Sequence, residues 1–158
     1  MSVLRFRSAT PADEAFFRQV EFSTTWASLD PEDRRVLGRS HVEDALDETH
    51  AVLRARPGSR VIIAEDEAGE RVGLLWYGAN RNLVTGENEA WIYNVSVLEQ
   101  FQGRGYGRML VQHAEELARA EGFRVLGLMV ASHNERASRL YRKLEFEPTN
   151  VLMRKRLR

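Results

Sequence analysis

The stretch Trp91 to Gly107, WIYNVSVLEQFQGRGYG, constrains the fold of this chain more than any other. It opens with alternation. Trp91, Tyr93, Val95 and Val97 fall on one face of an extended segment and Ile92, Asn94 and Ser96 on the other, the period of two that predicts a β-strand. Glycines then recur at every second position, Gly103, Gly105 and Gly107, just ahead of a helical pattern. Without a Cβ they tolerate positive φ and close approach. Consecutive N–H groups can therefore converge on an anion at the positive end of the helix that follows. A strand, a glycine-rich loop and a helix start in that order predict a pyrophosphate site.

Two common phosphate loops are excluded by their own requirements. A P-loop needs Gly-Lys-Ser/Thr, which occurs nowhere in the chain, and the dinucleotide pattern GxGxxG fails because Arg108 and Leu110 stand where its third glycine is needed. The run Gln102-Gly103-Arg104-Gly105-Tyr106-Gly107 reads instead as Q-x-x-G-x-G. It resembles the acyl-CoA-binding motif of the GNAT superfamily of N-acyltransferases.

With 158 residues, 43% hydrophobic and 29% charged, one soluble globular domain spanning 1–158 is expected. Lys plus Arg and Asp plus Glu each number 23, so no bulk charge points to nucleic acid or an anionic membrane. There is no cysteine, hence no disulfide, thiolate metal site or cysteine nucleophile. No metal site is expected. No signal peptide or spanning segment is read, which makes a cytoplasmic location the default.

In chain order, Leu4 to Arg7 reads as a short strand, and Thr10-Pro11 as the cap of a helix to about Glu21 that turns Ala15, Phe16 and Val20 inward. The pattern breaks from Phe22 to Asp30. Asp30-Pro31 then opens a second helical region to about Arg54, interrupted at Gly38. Val61 to Ala64 and Val72 to Tyr77 read as a hairpin, and Gly78 to Asn88 as a polar connection to the strand at Trp91. After Gly105 the positions Tyr106, Met109, Leu110, His113, Ala114, Leu117 and Ala118 form a helical stripe that Gly122 stops. Val125 to Val130 reads as a strand buried on both faces and parallel to its neighbour. Ser132-x-x-Glu135 has capping-box form. Ala137, Leu140, Tyr141 and Leu144 line the next helix, and Val151 to Leu157 reads as a last strand. The expected order is βααβββαβαβ.

A second motif agrees with the first. Asn134 to Phe146, NERASRLYRKLEF, is similar to the superfamily's N-x-x-A-x-x-L-Y-x-K-x-G-F segment, with Glu145 where glycine is common. Together the motifs cover about Trp91 to Phe146. The resemblance implies a single-domain α+β fold, with a mixed, mostly antiparallel sheet, a central splayed parallel strand pair and flanking helices. It also implies transfer of an acetyl group from acetyl-CoA, as co-substrate, to a primary amine of a small molecule or peptide, and it is compatible with a homodimer.

Residue by residue, the resemblance places the pantetheine arm along the backbone of Val95 and Val97. It places the pyrophosphate on Gln102, Gly103, Arg104, Gly105, Tyr106, Gly107 and Arg108, and sets Asn134 at the cofactor amide. Tyr141 becomes the acid that protonates the leaving thiolate. The superfamily's two glutamate base positions hold Trp91 and Met129 here. Glu89, two residues before Trp91, is the candidate base through a water, with His133 next. The missing glutamates also keep a second function class in view, a CoA-binding sensor or interaction domain of the same fold. The acceptor is not named by the sequence, although Trp26 and Trp91 are candidates for shaping its pocket.

Overall fold

A computed structural model describes residues 3–157. Strands β1 (Arg5–Ser8), β2 (Arg60–Glu65), β3 (Arg71–Arg81), β4 (Asn88–Val97) and β5 (Leu126–Leu128) form one sheet in that spatial order. Neighbours run antiparallel as far as β4, and β4 and β5 run parallel. The helices are α1 (Glu14–Ser28), α2 (Pro31–Val36), α3 (Arg39–Arg54), α4 (Tyr106–Ala120) and α5 (Glu135–Lys143). Both faces of the sheet are covered. On one, Ile62, Ala64, Val72, Leu75, Tyr77, Ala90 and Ile92 meet Tyr106, Leu110, Val111, Ala114 and Ala118 of α4. On the other, Val61, Ile63, Leu74 and Trp76 meet Phe16, Phe17 and Val20 of α1. Each fully buried Leu or Val contributes about 2 kcal/mol of hydrophobic free energy. The α4 stripe is therefore a main anchor of the helix that carries the glycine loop.

Several expectations need correction. α1 does not stop at Glu21 but runs to Ser28. Its second half gains a contact the local pattern does not reveal, Thr24 Oγ1 with Ser96 Oγ of β4 at 2.9 Å, and Phe22 stacks one turn along on Trp26 with 5.6 Å between ring centroids. Phe17 rather than Ala15 faces the core beside Phe16. β3 continues to Arg81, which shortens the polar connection. β5 is only half-buried and stops at Leu128, leaving Met129 exposed. The cap of α5 is Asn134, whose Oδ1 accepts from Ala137 N at 3.1 Å, rather than the Ser132 box. The segment 151–157 joins no strand. Arg154 and Arg156 hold it against Asp30, Glu32 and Asp33 at the start of α2, while Val151, Met153 and Leu157 stay exposed. Ion pairs from these two arginines to three carboxylates replace the sheet edge that its alternation suggested.

The start of α1 carries a buried charge. Asp13 accepts from Arg7 Nη1 at 2.7 Å and Nη2 at 3.0 Å and from Thr10 N at 2.8 Å, and chiefly the Arg7 guanidinium holds its carboxyl well below the usual range. A depressed folded pKa contributes stability that is present above the unfolded pKa of about 4 and lost as pH falls through it toward the folded value. Asp13→Asn should therefore cost about 2–3 kcal/mol at neutral pH. In urea unfolding, its gap to wild type should narrow as the pH is lowered from about 5 to about 2.

Candidate active site

The site begins where two parallel strands part. Pairing between β4 and β5 covers Ala90, Trp91 and Ile92 against Leu126, Gly127 and Leu128, yet β4 runs on to Val97 with no further strand paired to that edge among the described residues. A β-bulge sits at the same place. Trp76 pairs with Asn94 and Tyr77 with Ile92, so Tyr93 is an extra residue in β4. The bulge corrects the faces expected from simple alternation. Tyr93 packs on Trp76 and Asn94 bonds α1, so both turn one way, whereas Val95 and Val97 share the α4 face with Ala90 and Ile92. Trp91 lies over Gly127, where a Cβ would overlap its ring.

The glycine loop follows at the end of β4. Gly103 and Gly105 have φ of 78° and 82°, and Gly105 is the N-cap of α4. Met109 N makes the first helical bond, to the Gly105 carbonyl at 3.2 Å. No N–H from Gly103 to Arg108 donates to a protein acceptor among the described residues. Six consecutive donors are thus left unpaired at and just before a helix N-terminus, where a phosphate group can accept from them. The Tyr106 side chain is buried in the core, so only its main chain faces the loop. Gln102 acts as a brace, with Nε2 donating to the Val97 carbonyl at 2.9 Å and Oε1 accepting from Arg136 at 2.5 Å. Arg104 donates to the Gln100 carbonyl at 3.3 Å, and Arg108 is exposed without an ion pair among the described residues. Two cations therefore flank the donors, which suits a pyrophosphate.

α5 supplies the remaining candidates. Asn134 Oδ1 is spent on the cap, which leaves the amide NH2 free to donate. Tyr141 is half-buried against the α4 cluster, its ring 5.7 Å from that of Phe146. Its hydroxyl makes no hydrogen bond among the described residues, and burial pushes the phenol pKa up. It is thus a protonated donor at neutral pH. Glu145, just past the helix, takes φ of 65°. The left-handed end is kept without the usual glycine, at a strain of about 1 kcal/mol. Glu145→Gly should raise stability by up to about 1 kcal/mol in chemical denaturation, less the added entropy of the unfolded chain.

Glu89 stands at the start of β4, paired with Asn80 of β3 and ahead of the β5 pairing, and its Oε1 accepts from Asn82 Nδ2 at 2.7 Å. His133 Nε2 meets the Ala27 carbonyl at 2.9 Å, which places its proton on that nitrogen and ties the loop before α5 to the end of α1. A groove of about 390 Å³ between α1 and α3 lies away from the glycine loop. Its charges pair among themselves, Arg18 with Asp47 and Arg54 with Glu14. Sequence reasoning missed the buried residues Glu21, His50 and Asn94. Glu21 had a signal: a carboxylate on the apolar stripe of α1, next to Val20 and one turn after Phe17.

The sequence pattern of the Acetyltransferase (GNAT) family matches residues 23–146, and the chain belongs to that family. Over 92 residues it is 39% identical to the uncharacterized N-acetyltransferase YdgE of Bacillus subtilis, covering 58% of this chain and 57% of that protein. Over 94 residues it is 36% identical to an L-methionine sulfoximine/L-methionine sulfone acetyltransferase of Pseudomonas aeruginosa, covering 60% and 54%. The chain thus spans little more than half the length of these relatives. A putative acetyl transferase from Pyrococcus furiosus has the same fold, with a TM-score of 0.81 at 20% identity over 98% of this chain and 100% of that one.

Proposed function

We propose that this protein transfers an acetyl group from acetyl-CoA to a primary amine of a small molecule or protein. The observation that carries the reading is the row of free N–H groups from Gly103 to Arg108 at the start of α4, set beside the opening between β4 and β5. In this reading those groups hold the pyrophosphate, Arg104 and Arg108 add charge, and the pantetheine arm lies along Val95 and Val97 like a further strand. The NH2 of Asn134 donates to a carbonyl of that arm. The amine must attack neutral. Its lone pair forms the new C–N bond at the thioester carbon, the C–S bond breaks, and the Tyr141 hydroxyl delivers a proton to the departing sulfur. The amine's own proton leaves through a water to Glu89, whose Oε2 is not engaged by another side chain among the described residues.

The acceptor proposal draws on the relatives. One with 36% identity is named for acetylating methionine sulfoximine and sulfone, and one with 36% identity over 64 residues for acetylating the alanine of ribosomal protein bS18. Thermal shift and calorimetry test the donor: acetyl-CoA should bind at one per chain and raise the melting temperature, and ATP should not substitute. Thiol release over an amine panel tests the transfer. A protein that binds ATP and acetyl-CoA alike, or releases no thiol with any amine, would sink the reading. Glu89→Gln should lower turnover below the acceptor amine's pKa and matter little above it, where the amine is already neutral. A pH-rate profile unchanged from wild type would remove Glu89 from the mechanism.

A further inference from the structure

Among the described residues, five polar or charged side chains are buried: Asp13, Glu21, His50, Glu65 and Asn94. Arg5 and Arg7 take up Glu65, and Arg7 takes up Asp13, at the β1 side of the sheet. The other three are joined to one another and play no part in the steps above. Glu21, on α1, accepts from the Asn94 amide through Oε1, and its Oε2 meets His50 Nε2 of α3 at 3.2 Å. Asn94 Oδ1 accepts from Ser96 Oγ at 2.8 Å, and Ser96 meets Thr24 Oγ1 at 2.9 Å. The rings of Phe17 and Trp76 pack against His50 at 4.9 Å and 5.4 Å. Apolar side chains of similar volume would fill this space with less desolvation cost, so the network is a poor device for stability alone.

It holds the bulge. Asn94 is the residue directly after the extra Tyr93, and each is tethered separately: Tyr93 by its hydroxyl to the Ala79 carbonyl at 2.6 Å, Asn94 by Glu21. If the bulge is lost and the strand slips by one residue, everything beyond it exchanges faces. Here that would turn Val95 and Val97 from the α4 side to the α1 side, and it would re-aim the main chain at the open edge of β4. We propose that Glu21, steadied by His50, is a positioning residue for acetyl transfer. It fixes Asn94 and so locks the bulge in the register that presents the Val95–Val97 main chain to the pantetheine arm. The inference rests on the acetyl-CoA reading of the site.

Glu21→Leu should lower thermal stability, because it leaves the Asn94 amide and the His50 nitrogen without a partner. Glu21→Leu/His50→Leu/Asn94→Leu removes all three polar groups together and should recover most of that loss. It should nevertheless keep kcat/KM about a hundredfold below wild type, the scale of an ångström-level misplacement. Its acetyl-CoA binding should be about tenfold weaker. Adenosine 3′,5′-bisphosphate, which lacks the pantetheine arm, should bind as it does to wild type. Glu21→Gln retains an acceptor for Asn94 and should stay close to wild-type turnover. A triple variant with wild-type kcat/KM and acetyl-CoA affinity would overturn the proposal. If the triple variant does not fold, amide exchange in Glu21→Leu decides: faster exchange at Ser96 and Leu98, the positions beyond the bulge that turn their N–H groups to β3, supports the lock, and wild-type protection there overturns it. Wild-type protein that binds no acetyl-CoA would instead overturn the donor reading and this inference with it.

Discussion

Replacing Tyr141 by Phe should lower turnover with any accepted amine by roughly ten- to a thousandfold while leaving acetyl-CoA affinity close to wild type. The ring packs against Phe146 and the α4 cluster, and Phe keeps those contacts. Only the hydroxyl is lost. In the structure that hydroxyl serves no protein acceptor among the described residues, and burial holds the phenol protonated, so its removal deletes a proton donor and nothing else. The lower end of the range reflects that a thiolate is already a fair leaving group, the upper end the usual effect of a lost general acid. Tyr141→Ala should add a loss of stability of about 2 kcal/mol, because it leaves a cavity beside Leu144 and α4. Steady-state kinetics alongside calorimetry separate the two effects. A Tyr141→Phe protein that binds acetyl-CoA and turns over at the wild-type rate would return Tyr141 to the role of a core aromatic.

How legible each part was depended on how local its cause is. The α4 stripe, its stop at Gly122 and the glycine loop are set by residues within a few positions of one another, and all three stand as the sequence implies. The parallel pairing of β4 and β5 was also readable, because a single helix joins two apolar segments. The bulge was not. An extra residue is a property of two strands in register, and the alternation of Trp91 to Val97 is equally regular on paper with or without it. The same limit applies to Val151–Leu157, whose alternation fits a strand but whose arginines find carboxylates on α2 instead. In Phe22 to Ser28, one contact that accompanies the helix, Thr24 with Ser96 of β4, joins segments far apart in the chain, which no local propensity contains. At the candidate site, the position of the loop at the start of α4 and of Tyr141 on α5 was readable from motif spacing. The Glu21–His50–Asn94 network joins three distant segments, and only Glu21, a charge on an apolar stripe, gave a hint.

The glycines of the loop should fail in different ways when replaced. Gly105 has φ of 82° and open space around the site a Cβ would take, so a side chain there meets no neighbour but does meet the backbone. Valine is strongly disfavoured in the left-handed region, at a cost of about 1–2 kcal/mol. The loop can relieve that strain by rotating the Gly105 peptide, and rotation scatters the N–H groups that converge at the start of α4. Gly105→Val should therefore abolish the thermal shift with acetyl-CoA and weaken binding at least about a hundredfold, while the apo protein loses only a few degrees of melting temperature. Gly107 differs. It lies within α4, and a Cβ there would come within 3.3 Å of Leu140 Cδ2 on α5. Alanine needs only a small shift of that flexible tip. Leucine would push α5 outward, and Tyr141, the next residue along, would move with it. Gly107→Leu should accordingly retain binding of adenosine 3′,5′-bisphosphate but lower kcat, whereas Gly105→Val should lose the bisphosphate itself. Calorimetry with that fragment and steady-state kinetics tell the two apart, and a Gly105→Val protein that binds acetyl-CoA like wild type would show that this loop is not the phosphate site.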